Sequence, residues 1–192
     1  QHNKPFKQRG LCSLLVEVLQ ALEAMRSQEI GTAEHGFIRP NVIMIQNHQK
    51  PRVRLTDVGL SVIRPELVKH SETDPWSLGC IPELQGLPDP GDRDLYSLGA
   101  LLYQMTQLKP FMGDWQRDLM IPKTFPKLPD LIEACVANPP LITANDLKAE
   151  LKASARAQVE SGGLTQDLSQ LQERLHQIIH TDASVSEEDD DD

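Results

Sequence analysis

The chain has 192 residues, 39% of them hydrophobic, and a net charge of −9, enough apolar material for one ordinary core plus appendages. No apolar run approaches the roughly 20 residues of a membrane helix, and the acidic balance argues against nucleic acid as a partner. Cys12, Cys80 and Cys135 are odd in number and widely spaced, with no CxxC pair, so they suit free thiols in a reducing, cytoplasmic setting better than a disulfide or zinc framework.

The chain begins at Gln1 with no Met and no charged-then-apolar leader, which predicts a processed or excerpted chain. Residues 1–10 read as a lead-in. Leu11, Leu14, Leu15, Val18, Leu19, Leu22 and Met25 then recur at three- and four-residue spacing, the stripe of a helix expected to pack on the central one. Val42 to Ile45 and Val53 to Leu55 flank a polar turn at Asn47 to Pro51 and read as a short hairpin. In the following Thr56-Asp57-Val58-Gly59, the glycine lets the backbone bend sharply beside a carboxylate. From Ser61 to Pro90 the sequence reads as punctuated loop, with a short helical piece around Pro65 to Lys69.

Asp94 to Met105 is an apolar run whose large side chains cover every angle of a helix, so it should be central and buried. Asp94 is placed to cap its first turn, and Lys109-Pro110 to stop it. Short helices are expected at Trp115 to Met120, Leu128 to Val136 and Ala144 to Ala157. Residues 158–163 read as a linker.

Residues 164–180 read as an amphipathic helix in which Leu164, Leu168, Leu171, Leu175 and Ile178 follow a 4-3-4-3 spacing, a coiled-coil seam of about two heptads. Such a stripe needs a cover, either the chain's own body or a protein partner. His176 and His180 share one face of that helix, but Gln-Ile-Ile between them lacks the Glu of a metalloprotease helix, so no metal is assigned there. Residues 181–192 read as a disordered acidic tail in which Glu187 to Asp192 supplies six acidic side chains. Ser186 before these acids resembles an acidophilic-kinase acceptor, though a plain solvated tail is preferred.

Four landmarks, in order, resemble eukaryotic-type serine/threonine protein kinases. His35-Gly-Phe-Ile-Arg-Pro-Asn-Val42 resembles the catalytic loop, Asp57-Val-Gly59 the metal-binding Asp-Phe-Gly, Ile81-Pro82-Glu83 the Ala-Pro-Glu, and Asp94-Leu-Tyr-Ser-Leu-Gly99 the start of the buried helix F. The resemblance covers Leu11 to Ala157. It implies a mainly α fold, a protein-kinase-like C-lobe with a small β-hairpin, without an N-lobe in this chain and with a C-terminal helix appended.

The departures from the family pattern imply lost catalysis. Phe37 stands where the family has its catalytic Asp, Gly36 where it has the Arg that holds a phosphorylated activation loop, Arg39 where it has a phosphate-facing Lys, and Val42 where it has a metal-binding Asn. Of the metal pair only Asp57 remains, read here as a loop carboxylate satisfied by backbone N–H groups in preference to a residual cofactor ligand. His35 is read as a packing residue, and Gly59, Pro82, Glu83 and Asp94 as structural motif positions. Because the family's late Arg is missing, Arg93 is the candidate partner of Glu83.

The leading expectation is a catalytically inactive pseudokinase domain acting as a scaffold or allosteric regulator. It would bind protein partners through the region of Trp115 to Ile121 and the heptad segment, with no cofactor expected, ATP–magnesium binding disfavoured but left open, and no membrane or nucleic-acid partner. The alternatives are an atypical active or nucleotide-binding kinase whose N-lobe lies upstream, and a non-kinase helical interaction module. The last is set aside if Phe37 and Asp57 flank one shallow cleft beneath the strand pair.

Overall fold

The structure is a computed structural model that describes residues 8–27, 34–46, 52–59, 66, 75–87, 89–123 and 125–156. Its elements are α1 (Gln8–Ser27), β1 (Ile43–Gln46), β2 (Arg52–Leu55), α2 (Pro75–Gly79), α3 (Arg93–Gln107), α4 (Leu128–Val136) and α5 (Ala144–Arg156). The architecture is mainly helical with one two-stranded antiparallel hairpin, as the sequence pattern predicts. The linker, the heptad segment with Leu164 to Ile178 and both of its histidines, and the acidic tail lie outside the described residues. So does the expected helical piece at 65–69, apart from Glu66.

The core is organised on α3. Every residue from Asp94 to Thr106 is buried, because the run offers no polar face for water to solvate. The helix starts one residue earlier than expected, and its cap is Asp92, whose Oδ1 accepts from Leu95 N at 3.0 Å. Capping requires a residue still in an extended conformation, and Asp92 has φ −127° and ψ 94°. Asp94 is already helical and turned inward. The helix ends at Leu108 in the left-handed region (φ 54°), two positions before Pro110, with Leu108 N donating to Gln104 O at 2.8 Å.

The faces of α3 are shared out by side-chain size. A Cβ on Gly99 would lie 2.6 Å from Cys135 Cβ and 2.8 Å from Val136 Cγ1, so the missing side chain is what lets α4 approach so closely. Farther along, Tyr96 and Tyr103 meet Phe111 edge-on, and Phe111 stacks on Trp115 with centroids 5.9 Å apart, arrangements that suit the ring quadrupole. With these neighbours in place, α1 lies chiefly along α5 and across β2 and touches α3 over a shorter stretch. The expected contact of α1 with the central helix is present, and its contacts with α5 and β2 are more extensive.

Two further expectations are corrected. Residues 113–118 form successive turns instead of a helix, with Trp115 N donating to Met112 O and Arg117 N to Asp114 O, both at 3.0 Å. Gly113 favours turns over helix, and Gln107 clamps the far end of the stretch, accepting from Met120 N at 2.9 Å and donating to Met120 O at 3.0 Å. The stretch expected as loop contains α2 and a 3-10 turn at Pro82–Gln85, each opened by a proline at its first position. Among the described residues no helix is long and apolar enough to cross a membrane.

Candidate functional site

The loop Glu34 to Arg39 is built around one buried carboxylate. Asp94 Oδ1 accepts from Gly36 N at 2.8 Å, and Oδ2 accepts from His35 N at 2.9 Å. Arg26 Nη2, from the end of α1, donates to the same Oδ2 at 3.2 Å. Gly36 has φ +73°, a conformation that L side chains resist, and this lets two successive N–H groups face one acid. The charge is thus matched by donors from two other parts of the chain, which is the condition for burying a carboxylate.

His35 is fully buried, and its ring sits between two backbone groups. Nδ1 accepts from Phe37 N at 3.3 Å, so the proton resides on Nε2, which donates to Thr56 O at 2.7 Å. Both nitrogens are engaged, Nδ1 within the loop and Nε2 across to the residue that follows β2, an arrangement in keeping with a packing role for this histidine. Phe37 is 2% exposed and directed inward, as are Ile38 and Val42. Val42 O accepts from Thr56 N at 3.0 Å, fastening the 3-10 turn Pro40–Val42 to the same strand end.

Asp57 occupies the turn after β2 with φ +60°, ahead of Gly59 at φ +91°. Its carboxylate, about a third exposed, meets Arg39 Nη2 at 3.4 Å. Among the described residues a cationic side chain is therefore a partner of this carboxylate. Arg39 Nε is buried with no hydrogen-bond partner among the described residues. A magnesium–phosphate site needs several oxygen ligands in octahedral array. Among the described residues, the Asp57 carboxylate stands beside a guanidinium, and Phe37 and Val42 present apolar side chains. Phe37 is directed into the core while Asp57 sits part-exposed in the turn after β2, so the non-kinase helical module is not set aside on this ground.

Arg93 is a second hub. Its Nε donates to Glu83 Oε1 at 3.1 Å and its Nη1 to Glu34 Oε1 at 2.6 Å, while Nη2 meets Asp89. Burial works against its charge, but the hydrogen bonds to Glu83 and Glu34 and the fields of Glu34 and Asp89 outweigh it and hold the guanidinium above its ordinary pKa. The pairing of Glu83 with Arg93 agrees with the sequence reading. Ser97 Oγ donates to Cys80 O at 2.7 Å and Gln104 Nε2 to Trp76 O at 2.9 Å, so α2 and the turn holding buried Pro82 are stapled to α3. Arg26, Glu34, Ser97 and Gln104 escape the sequence reading. The signal available for Ser97 is its place inside Asp94-Leu-Tyr-Ser-Leu-Gly99.

Trp115, expected at a partner surface, is 8% exposed and stacked in the aromatic cluster. The exposed apolar side chains of that stretch are Met112, Met120 and Ile121.

Comparison with known proteins adds a distant relationship. The chain is 30% identical over 119 residues to "Serine/threonine-protein kinase Nek3" of Oryza sativa subsp. japonica, an alignment covering 62% of this chain and 20% of that protein. It is 29% identical over 106 residues to "Serine/threonine-protein kinase D1044.8" of Caenorhabditis elegans, covering 55% and 10% respectively. It thus spans a fifth or less of these relatives' length. No protein-family model and no solved structure matches the chain. Over somewhat more than half its length, then, this chain is similar to serine/threonine protein kinases, at about 30% identity.

Proposed function

We propose that residues 11–157 are a protein-kinase-like C-lobe that no longer transfers phosphate and works in the cytoplasm as a scaffold or allosteric regulator through contact with other proteins. The observation that carries this reading is Asp94 taking both the His35 and Gly36 N–H groups. In the family that this sequence resembles, the corresponding Asp holds the backbone of the catalytic loop. The staple is retained while Phe37 and Val42, at the positions of the proton acceptor and a metal ligand, are apolar and buried. An aromatic ring neither accepts the hydroxyl proton nor orients the nucleophile. Met112, Met120 and Ile121 supply exposed apolar area for a partner.

The test is binding of ATP with magnesium, by thermal shift and calorimetry, on the longest natural chain containing this sequence. A ligand present at 100 times its dissociation constant stabilises the native state by about 2.7 kcal/mol. The expected result is no shift. A magnesium-dependent shift abolished by Asp57→Ala, followed by detectable phosphate transfer, would replace this reading with that of an atypical active kinase completed by upstream residues. Retention of Asp57 in its turn is the feature favouring that second reading.

A further inference from the structure

Among the described residues, apolar surface is left uncovered at the C-terminal end of α5. A groove of about 380 Å³ is walled by Leu14 and Val16 of α1, Ile45 and Val53 of the hairpin and Ala155 of α5. Ile45, Val53 and Ala155 pack against the core yet stay part-exposed, so a cover for them is favoured by the hydrophobic effect. The rim carries three cations, Arg52, Lys152 and Arg156, against the single carboxylate of Glu17. Charge elsewhere is distributed to match. Ten of the 28 acidic and one of the 19 basic residues fall in 157–192, so residues 1–156 balance and the stretch beyond α5 carries the whole −9.

We propose that the amphipathic segment 164–178 docks in cis into this groove, its stripe of Leu164, Leu168, Leu171, Leu175 and Ile178 covering Ile45, Val53 and Ala155. Three observations favour this occupant over a second copy or a partner. Arg156, the last described residue, itself stands on the rim. Seven residues separate it from Leu164, a reach of up to about 25 Å when extended, and Ser161-Gly162-Gly163 can reverse direction. So short a tether gives an effective concentration of the order of mM, which a diffusing copy does not match at ordinary protein concentrations. Finally, Asp167, Glu173 and the acidic tail complement the basic rim. The inference does not rest on the kinase-like reading. It withdraws the heptad stripe from outside partners and leaves Met112, Met120 and Ile121 to them.

Hydrogen–deuterium exchange of the full chain, compared with a Leu168→Asp/Leu171→Asp variant, tests it, with molecular mass followed by light scattering. Both substitutions fall outside the described residues, and an unchanged cooperative melt shows that the core is folded. Peptides covering 52–55 and 150–156 are expected to exchange several-fold faster in the variant, at monomer mass and at every protein concentration. Lys152→Glu with Arg156→Glu, two exposed positions, is expected to speed exchange of 164–178 likewise. Equal exchange in the parent and variant chains would overturn the proposal. Protection that disappears on dilution together with a dimer mass would overturn it too, assigning the groove to a second copy.

Discussion

Replacing Asp94 by Ala should be the most destabilising single truncation at the loop–helix junction. The carboxylate is 1% exposed and accepts from His35 N, Gly36 N and Arg26 Nη2. Arg26 is about a third exposed and lies 3.9 Å from Asp92, so it can rehydrate or re-pair and adds little to the cost. The two backbone donors cannot do so. A buried donor left unsatisfied costs about 1–3 kcal/mol, which puts Asp94→Ala at about 4 kcal/mol, a large part of the 5–15 kcal/mol typical of a domain. Asp94→Asn keeps one acceptor oxygen but turns an amide NH2 toward a donor, so about 2 kcal/mol is expected. Asp92→Ala, which removes an ordinary helix cap, serves as the scale at about 1 kcal/mol. Urea denaturation followed by the fluorescence of Trp76 and Trp115 gives the three values. A cost for Asp94→Ala below that of Asp92→Ala would refute the argument that this carboxylate organises the loop.

Gly99→Ala forces a Cβ to within 2.6 Å of Cys135 Cβ. Overpacking against an atom next to the backbone costs about 1–3 kcal/mol, read as a lowered denaturation midpoint, and a midpoint equal to or above the parent's would count against the tight α3–α4 contact. Burial pushes the Cys12 thiol up to about 12 and, with a smaller push from Asp92, the Cys135 thiol up to about 12. Both pKa values are raised relative to the unfolded chain, so the unfolded state releases protons first as pH rises through about 9. Stability is full below that pH and should fall between about pH 9 and 12, by about 1.4 kcal/mol per pH unit per thiol. Urea titrations at successive pH values measure the slope, to which the raised Tyr96 and Tyr103 hydroxyls add above about pH 10, and Cys135→Ala should remove the share of one thiol, about 1.4 kcal/mol per pH unit. An unchanged slope in that variant would assign the pH dependence to other groups.

The relation between sequence and structure divides along the range of the forces involved. Leu128–Val136, Ala144–Arg156 and the hairpin are legible from spacing, because period and flanking prolines act within a turn or two of chain. Burial of Asp94 to Thr106 is legible too, since a helix apolar on all sides has only the interior to go to. The pairing of Glu83 with Arg93 is suggested by the family resemblance, in which the usual Arg partner is missing and Arg93 is the nearby cation. In the candidate site the sequence marks His35, Asp57 and Asp94 as positions of interest, but not what each of them touches.

Tertiary structure decided the rest. Which aspartate caps α3 depends on backbone angles at Asp92 that no residue type encodes. Trp115 lies inside because Phe111 and Tyr103 arrive beside it, and an amphipathic aromatic is equally suited to a surface until those rings are placed. Asp57 meets Arg39, and α1 lies along α5 and β2 more extensively than along the central helix. In each case residues far apart in the chain compete for one surface, and the winner is set by the shape and charge that the folded neighbours present.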